Sequence, residues 1–154
     1  MKTFNHVKLP QLDFDLKAET TDSGRLYATP TGEKYKSITT VLGNHNKQAI
    51  MEWRERVGAE EATKISTKAA NRGTKVHKIC EDYINNQTNE FRLQTLMPDL
   101  KEMFFKIKPI IDEKLGDVYA QEQALYSHQL KIAGRVDLIG MWNGKLSVID
   151  FKTS

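Results

Sequence analysis

The dipeptide Asn143-Gly144, set between the β-rich runs KIAGRVDLIGMW and KLSVIDFKT, constrains this chain more than any other feature. Both central residues of a type I′ turn need positive φ, which asparagine and glycine tolerate best, so the two runs are predicted to close as a hairpin. With Trp142 opposite Lys145, the pairing carried back along the strands brings Asp137 opposite Asp150. That pair falls in the non-hydrogen-bonded class, whose Cα atoms lie only about 4.5 Å apart. Facing carboxylates destabilise a sheet, and Ile139, Val148 and Leu146 on the same face are expected to lower the local dielectric. A hard divalent cation such as Mg²⁺ would turn the repulsion into shared coordination. The plain alternative is a solvated sheet face carrying two exposed aspartates.

Residues two apart on a strand share a face, so Asp150 and Lys152 are expected to project together. Phe151 then joins Ile149, Leu138 and Val136 on the other face, which predicts a strand buried on both sides. An ammonium beside a metal-binding carboxylate suits phosphodiester hydrolysis, where it orients the attacking water or stabilises developing charge. Arg135, opposite Lys152, would add positive charge to the same cleft; a salt-bridged strand end is the competing explanation. Glu122, in the preceding run VYAQEQALYS, is the third carboxylate within reach, although no turn fixes its register and Gln121 or Gln123 could face the cleft instead. Upstream, Gly73-Thr74 reads as a helix start with Thr74 as cap, which puts His77 and Glu81 on one face at i, i+4. The pair would point into the cleft or make an ordinary surface contact.

Elsewhere, residues 1-23 are expected to form a loosely structured arm, and RLYATP and KYKSITTVL a β-hairpin across Arg25 to Leu42. Lys47 to Asn85, rich in Ala, Glu, Lys and Met, predicts two or three helices broken at Gly58 and Gly73. Another helix is expected from Pro98, with Leu100, Met103, Phe104, Ile107, Ile110, Ile111 and Leu115 at helical spacing, a kink at Pro109 and an end at Gly116. Three consecutive strands follow.

A chain of 154 residues, 39% hydrophobic and 28% charged, suits one domain with a packed core and no membrane span. The single cysteine, Cys80, rules out a thiolate zinc cluster and agrees with a reducing compartment, and the amino terminus lacks a secretory signal pattern. A cytoplasmic location is therefore expected, in a bacterial or phage-infected cell, with a mitochondrial one as the alternative. Twenty-three basic against twenty acidic residues leave +3, which by itself does not argue for a nucleic-acid partner.

Gly73-Thr74-x-x-His77-x-x-x-Glu81, then Glu122, Gly134-Arg135-Val136-Asp137 and Val148-Ile149-Asp150-Phe151-Lys152-Thr153-Ser154 resemble, in order and spacing, the motifs of RecB-like nucleases of the PD-(D/E)xK superfamily. The nearest similarity is to phage exonucleases and the mitochondrial genome-maintenance exonuclease, whose Ser-x-Thr-x-Val-Leu segment and following Trp helix resemble Ser37-Ile38-Thr39-Thr40-Val41-Leu42 and Trp53. The likeness spans roughly residues 35-154. It implies an α+β, restriction-endonuclease-like core, a helix plus an antiparallel three-stranded meander, with N-terminal hairpin and helical insertions. The nuclease domain would cover 25-154 after an arm of 1-24. It also implies Mg²⁺ or Mn²⁺ held by Asp137, Asp150, the Phe151 carbonyl and Glu122, with His77 as ligand or gate at a second metal position and Lys152 as catalytic lysine. Glu81 and Arg135 are further cleft candidates. The expected activity is exonucleolytic cleavage of DNA, on single strands or ends, in replication, recombination or repair. A catalytically weak DNA-binding or assembly module keeping the fold is the alternative. The family's second core helix and last strand are not seen before Ser154, so a truncated fold is expected, with the face of Val136, Leu138, Ile149 and Phe151 partly open and self-association or a complementing segment at the C-terminal edge.

Overall fold

A computed structural model describes residues 1–153, and the fold is α+β. The chain divides into two compact units, residues 1–9, 67–122 and 137–153 in the first and residues 10–66 and 123–136 in the second. No helix among the described residues is long and apolar enough to cross a membrane.

In the second unit, strands β1 (Lys17–Thr21), β2 (Gly24–Ala28) and β3 (Lys34–Ser37) form an antiparallel ladder. β3 then pairs in parallel with the beginning of β5 (Ile132–Trp142), Lys36 beside Ile132 and Ser37 beside Ala133. Leu16, Tyr27, Tyr35, Ala124 and Ala133 are the buried members of its core, with Phe14 and Tyr126 against them. Two expectations are corrected here. Part of the supposed arm is strand β1. The segment Ile38 to Leu42 is helical, because the Ser37 hydroxyl accepts the Thr40 N–H and caps α1 (Ile38–Val57). One side-chain acceptor at an N-cap satisfies a donor the helix leaves orphaned, and here it outweighs the β-branched run that follows. Gly58, at φ 96, ends α1 as expected.

In the first unit, α2 (Ala59–Ile84) supplies its C-terminal two-thirds, followed by α3 (Glu90–Gln94) and α4 (Pro98–Lys114). α2 runs without a break through Gly73, and Thr74 lies inside it, its hydroxyl donating to the Ala70 carbonyl rather than capping a start. Val76, Cys80, Tyr83 and Ile84 from α2 pack with Leu100, Phe104 and Ile111 from α4. Phe4 joins this core, its N–H bonded to Asn86 Oδ1, so the extreme amino terminus is anchored rather than loose. Burying such a side chain contributes roughly 1.5–3 kcal/mol.

The sheet of this unit comes from the first part of β4 (Leu115–Ser127), the end of β5 and β6 (Lys145–Ile149). The β5–β6 register is the one the turn dictates, Trp142 opposite Lys145 through Leu138 opposite Ile149. Asn143 at φ 50 and Gly144 at φ 75 give the two left-handed residues that a type I′ turn requires. Leu138 and Phe151 are buried against the helices, so the face expected to be partly open is closed where they lie. The opposite side of β6 differs from expectation in the other sense: Leu146 is 64% and Val148 60% exposed, while Ser147 and Ile149 on the inner side are half-buried. Among the described residues, β6 pairs with β5 alone.

Candidate active site

The first unit contains the end of the hairpin, Asp137, Asp150, Phe151 and Lys152, together with His77 from α2. The ladder stops at Leu138 opposite Ile149, one step short of the acidic pair. What continues past it is a side-chain contact: the Phe151 N–H donates to Asp137 Oδ2 at 2.7 Å. The Asp137 and Asp150 carboxyls are near enough to shift one another's proton affinity. Burial pushes the Asp137 carboxyl above the usual carboxylate range and Asp150 adds to it, against the Phe151 N–H and His77, which pull it down. Burial also works against the charge on Asp150, but hydrogen bonds from Lys152 and Asp137 outweigh it and hold that carboxyl low. The pair therefore divides into one acid that keeps its proton more readily and one that gives it up.

His77 lies over this cluster. Its Nε2 is 2.7 Å from the Phe151 carbonyl, and since a carbonyl only accepts, Nε2 carries the proton. Nδ1 then faces Asp137 Oδ1 at 3.5 Å. Both backbone polar groups of Phe151 are thus held, the N–H by Asp137 and the carbonyl by His77. Lys152 Nζ sits 2.6 Å from Asp150 Oδ2, with its side chain 77% exposed. A pair this open to solvent contributes little to stability.

The other candidates stand as follows. The Glu81 side chain pairs with Lys78 on its own helix at 3.7 Å, while its carbonyl accepts from Gln121 Nε2 at 3.3 Å. Glu122 is half-buried in β4 with a left-handed backbone, φ 50. Arg135 belongs to the second unit, where it pairs with Asp15 at 3.2 Å. Among the described residues, no group of three or more His, Cys, Asp or Glu side chains is arranged to hold a metal ion. Neither Glu81 nor Glu122 is gathered with the two aspartates into such a group. The donors that do stand together, two adjacent carboxylates and a backbone carbonyl, are all oxygens of the kind hard divalent cations prefer, so their chemistry fits Mg²⁺ or Mn²⁺.

Gln121, one of the three β4 residues in line for the cleft, has its Oε1 buried without a partner among the described residues. Arg72 has its Nε in the same condition. No protein-family model matches the chain, and no curated protein matches it.

Proposed function

We propose that this chain is a metal-dependent nuclease that hydrolyses DNA phosphodiesters, as an exonuclease on single strands or ends, in replication, recombination or repair. The observation that carries the proposal is the pair Asp137 and Asp150, side by side at the end of the Asn143-Gly144 hairpin with Lys152 on Asp150. A sheet tolerates two adjacent carboxylates more readily where a cation compensates them.

Asp137, Asp150 and the Phe151 carbonyl would hold the ion, and His77 positions that carbonyl. A bound Mg²⁺ or Mn²⁺ supplies a Lewis acid for a non-bridging phosphate oxygen and a water of lowered pKa. Lys152, paired with Asp150 here, would compensate developing negative charge on the attacked phosphate with its ammonium. Asp137, tied to the Phe151 N–H, fixes the backbone that carries both neighbours.

The alternative is a nucleic-acid-binding or assembly module without strong catalysis. One experiment separates the two: digestion of end-labelled single- and double-stranded DNA with Mg²⁺ or Mn²⁺, with a circular control. Loss of label from linear DNA that EDTA abolishes, with circles intact, supports the exonuclease. Retention of DNA without cleavage supports the binding module, and neither binding nor cleavage removes both.

A further inference from the structure

We propose that the first unit carries a docking groove for a short acidic peptide with two apolar side chains, on the side of α2 turned away from His77. This goes beyond the nuclease proposal and does not rest on it. Lys75 and Ile79 stand two positions to either side of His77, so at about 100° per residue they point roughly 160° from it. On that side, residues of α2, α3 and the start of α4 line a cavity of about 250 Å³. Its floor is aliphatic: Leu93 and Leu100 are buried members of the core, and Ile79 and Leu96 are half-buried beside them. A cavity of about 150 Å³ already holds a benzene ring, so this one has room for a Leu or Phe side chain. Leu96 also lines a second hollow, with Pro98 and Phe105, which gives the groove a second apolar seat. Phe91, at 77%, and Met97, at 66%, are the most exposed large apolar side chains of this unit, and each adjoins a lining residue. Apolar surface gathered around a recess marks an interaction site.

The charge around the floor selects the occupant. Lys75, Lys78 and Arg92 line the cavity, and Asp82 is the one acid among its lining residues. Lys78 and Arg92 share that carboxylate, at 3.0 and 3.9 Å, and Glu81 lies 3.7 Å from Lys78. Asp82 is recessed while the three cations are exposed, so the rim presents a surplus of positive charge above an aliphatic floor. An apolar side chain flanked by carboxylates complements both parts. Nucleic acid complements neither: the apolar lining of this cavity is wholly aliphatic and gives a base no ring to stack on, and Asp82 opposes a phosphate. Residues two apart on an extended chain share a face and stand roughly 6–7 Å from one another. Alternate apolar residues of an extended peptide therefore suit the two seats, with acids on either side of them at the rim.

The test uses a fluorescein-labelled peptide, Asp-Asp-Leu-Ser-Phe-Asp-Asp, titrated against the full chain by anisotropy, with its site mapped by amide shifts on the ¹⁵N-labelled wild type. Binding should weaken with salt, and the shifts should centre on Lys75, Ile79, Thr88 and Leu96. A peptide with Ala for Leu and Phe, and one with Lys for the four Asp, should each bind at least about tenfold more weakly. Lys75→Glu with Arg92→Glu, both on the exposed surface, should lose the acidic peptide by a similar factor and gain the lysine one. Leu96→Gln should weaken the acidic peptide with little change in salt dependence. Thermal midpoints of the variants show whether they fold, and where one does not, the shift map on the wild type decides. No binding up to about 1 mM, equal binding of the three peptides, or shifts centred away from α2 and α3 would overturn the proposal. An oligothymidylate that shifts the same amides at lower concentration than the peptide would give the groove to nucleic acid and overturn it as well.

Discussion

The Phe151 N–H donates to Asp137 Oδ2 at 2.7 Å, one residue beyond the point where the β5–β6 ladder ends. The carboxylate thereby replaces a strand partner and fixes the backbone between Asp150 and Lys152. Asp137→Asn keeps an oxygen acceptor for that N–H, so it should fold like the wild type while cleavage falls at least about a hundredfold through loss of a charged ligand. Asp137→Leu should lose activity and, in addition, about 1–3 kcal/mol of stability, the cost of leaving a part-buried donor unpaired. Urea unfolding of both variants checks this; equal stabilities would show that the contact contributes nothing.

Asp150→Asn removes one of two adjacent charges. Cleavage should fall by a similar factor while the thermal midpoint stays level or rises, because the exposed ion pair with Lys152 contributes little and the repulsion is relieved. Wild-type cleavage by pure Asp150→Asn protein would remove the carboxylate pair from the mechanism.

His77→Ala should depress turnover more than DNA binding, since the ring bears on the Phe151 carbonyl and on Asp137 rather than on the surface. Single-turnover rates beside anisotropy measure the two separately. Equal losses, or none, would leave His77 as a packing residue.

Gly140→Ala tests the packing that supports the hairpin. An added Cβ would come within 2.9 Å of the Asp117 carbonyl oxygen and 3.1 Å of Leu115 Cδ1. Backbone cannot move aside cheaply, so about 1–3 kcal/mol should be lost. Calorimetry reads this as a fall of roughly 2–4 °C per kcal/mol in a domain of this size. An unchanged midpoint would mean that the two strands do not approach as described.

Cys80 reports on the same core from the other side. It is fully buried, and burial pushes its thiol from 9.0 to about 12, with the charge of Asp137 adding to the effect. The native chain should therefore resist alkylation until it opens. Its contribution to stability is fully present below pH 9.0 and is lost as the pH rises towards about 12, because the unfolded thiol ionises first. Cys80→Ala should flatten the alkaline limb of the stability curve; an identical slope in both proteins would contradict the burial.

The hairpin register was legible because Asn143-Gly144 demands a turn that leaves no freedom in pairing. What lay near it was less so. Ile38-Thr39-Thr40-Val41-Leu42 has strand composition, yet the Ser37 hydroxyl decides for helix, and cap geometry competes with propensity in a way composition does not display. Gly73 reads as a helix breaker, whereas its missing Cβ leaves room for Thr153, a residue eighty positions away that no local pattern reveals. The register of Glu122 was unreadable for a related reason: a left-handed residue inside β4 interrupts the two-residue alternation on which face assignment depends. Exposure of Leu146 and Val148 is a property of sheet order, and their apolar character misled the expectation of burial on both sides.

That left-handed Glu122 sets fold and function at odds at one position. A side chain with a Cβ occupies this region at a cost of roughly 1–2 kcal/mol, which glycine escapes. In a mutant library screened only for soluble, folded protein, the backbone at position 122 favours glycine or asparagine, against what the glutamate side chain contributes through its own contacts. In a library screened for DNA cleavage, under the function proposed here, glutamate should persist despite the strain, and the ratio of the two enrichments would measure how much the carboxylate matters to the reaction.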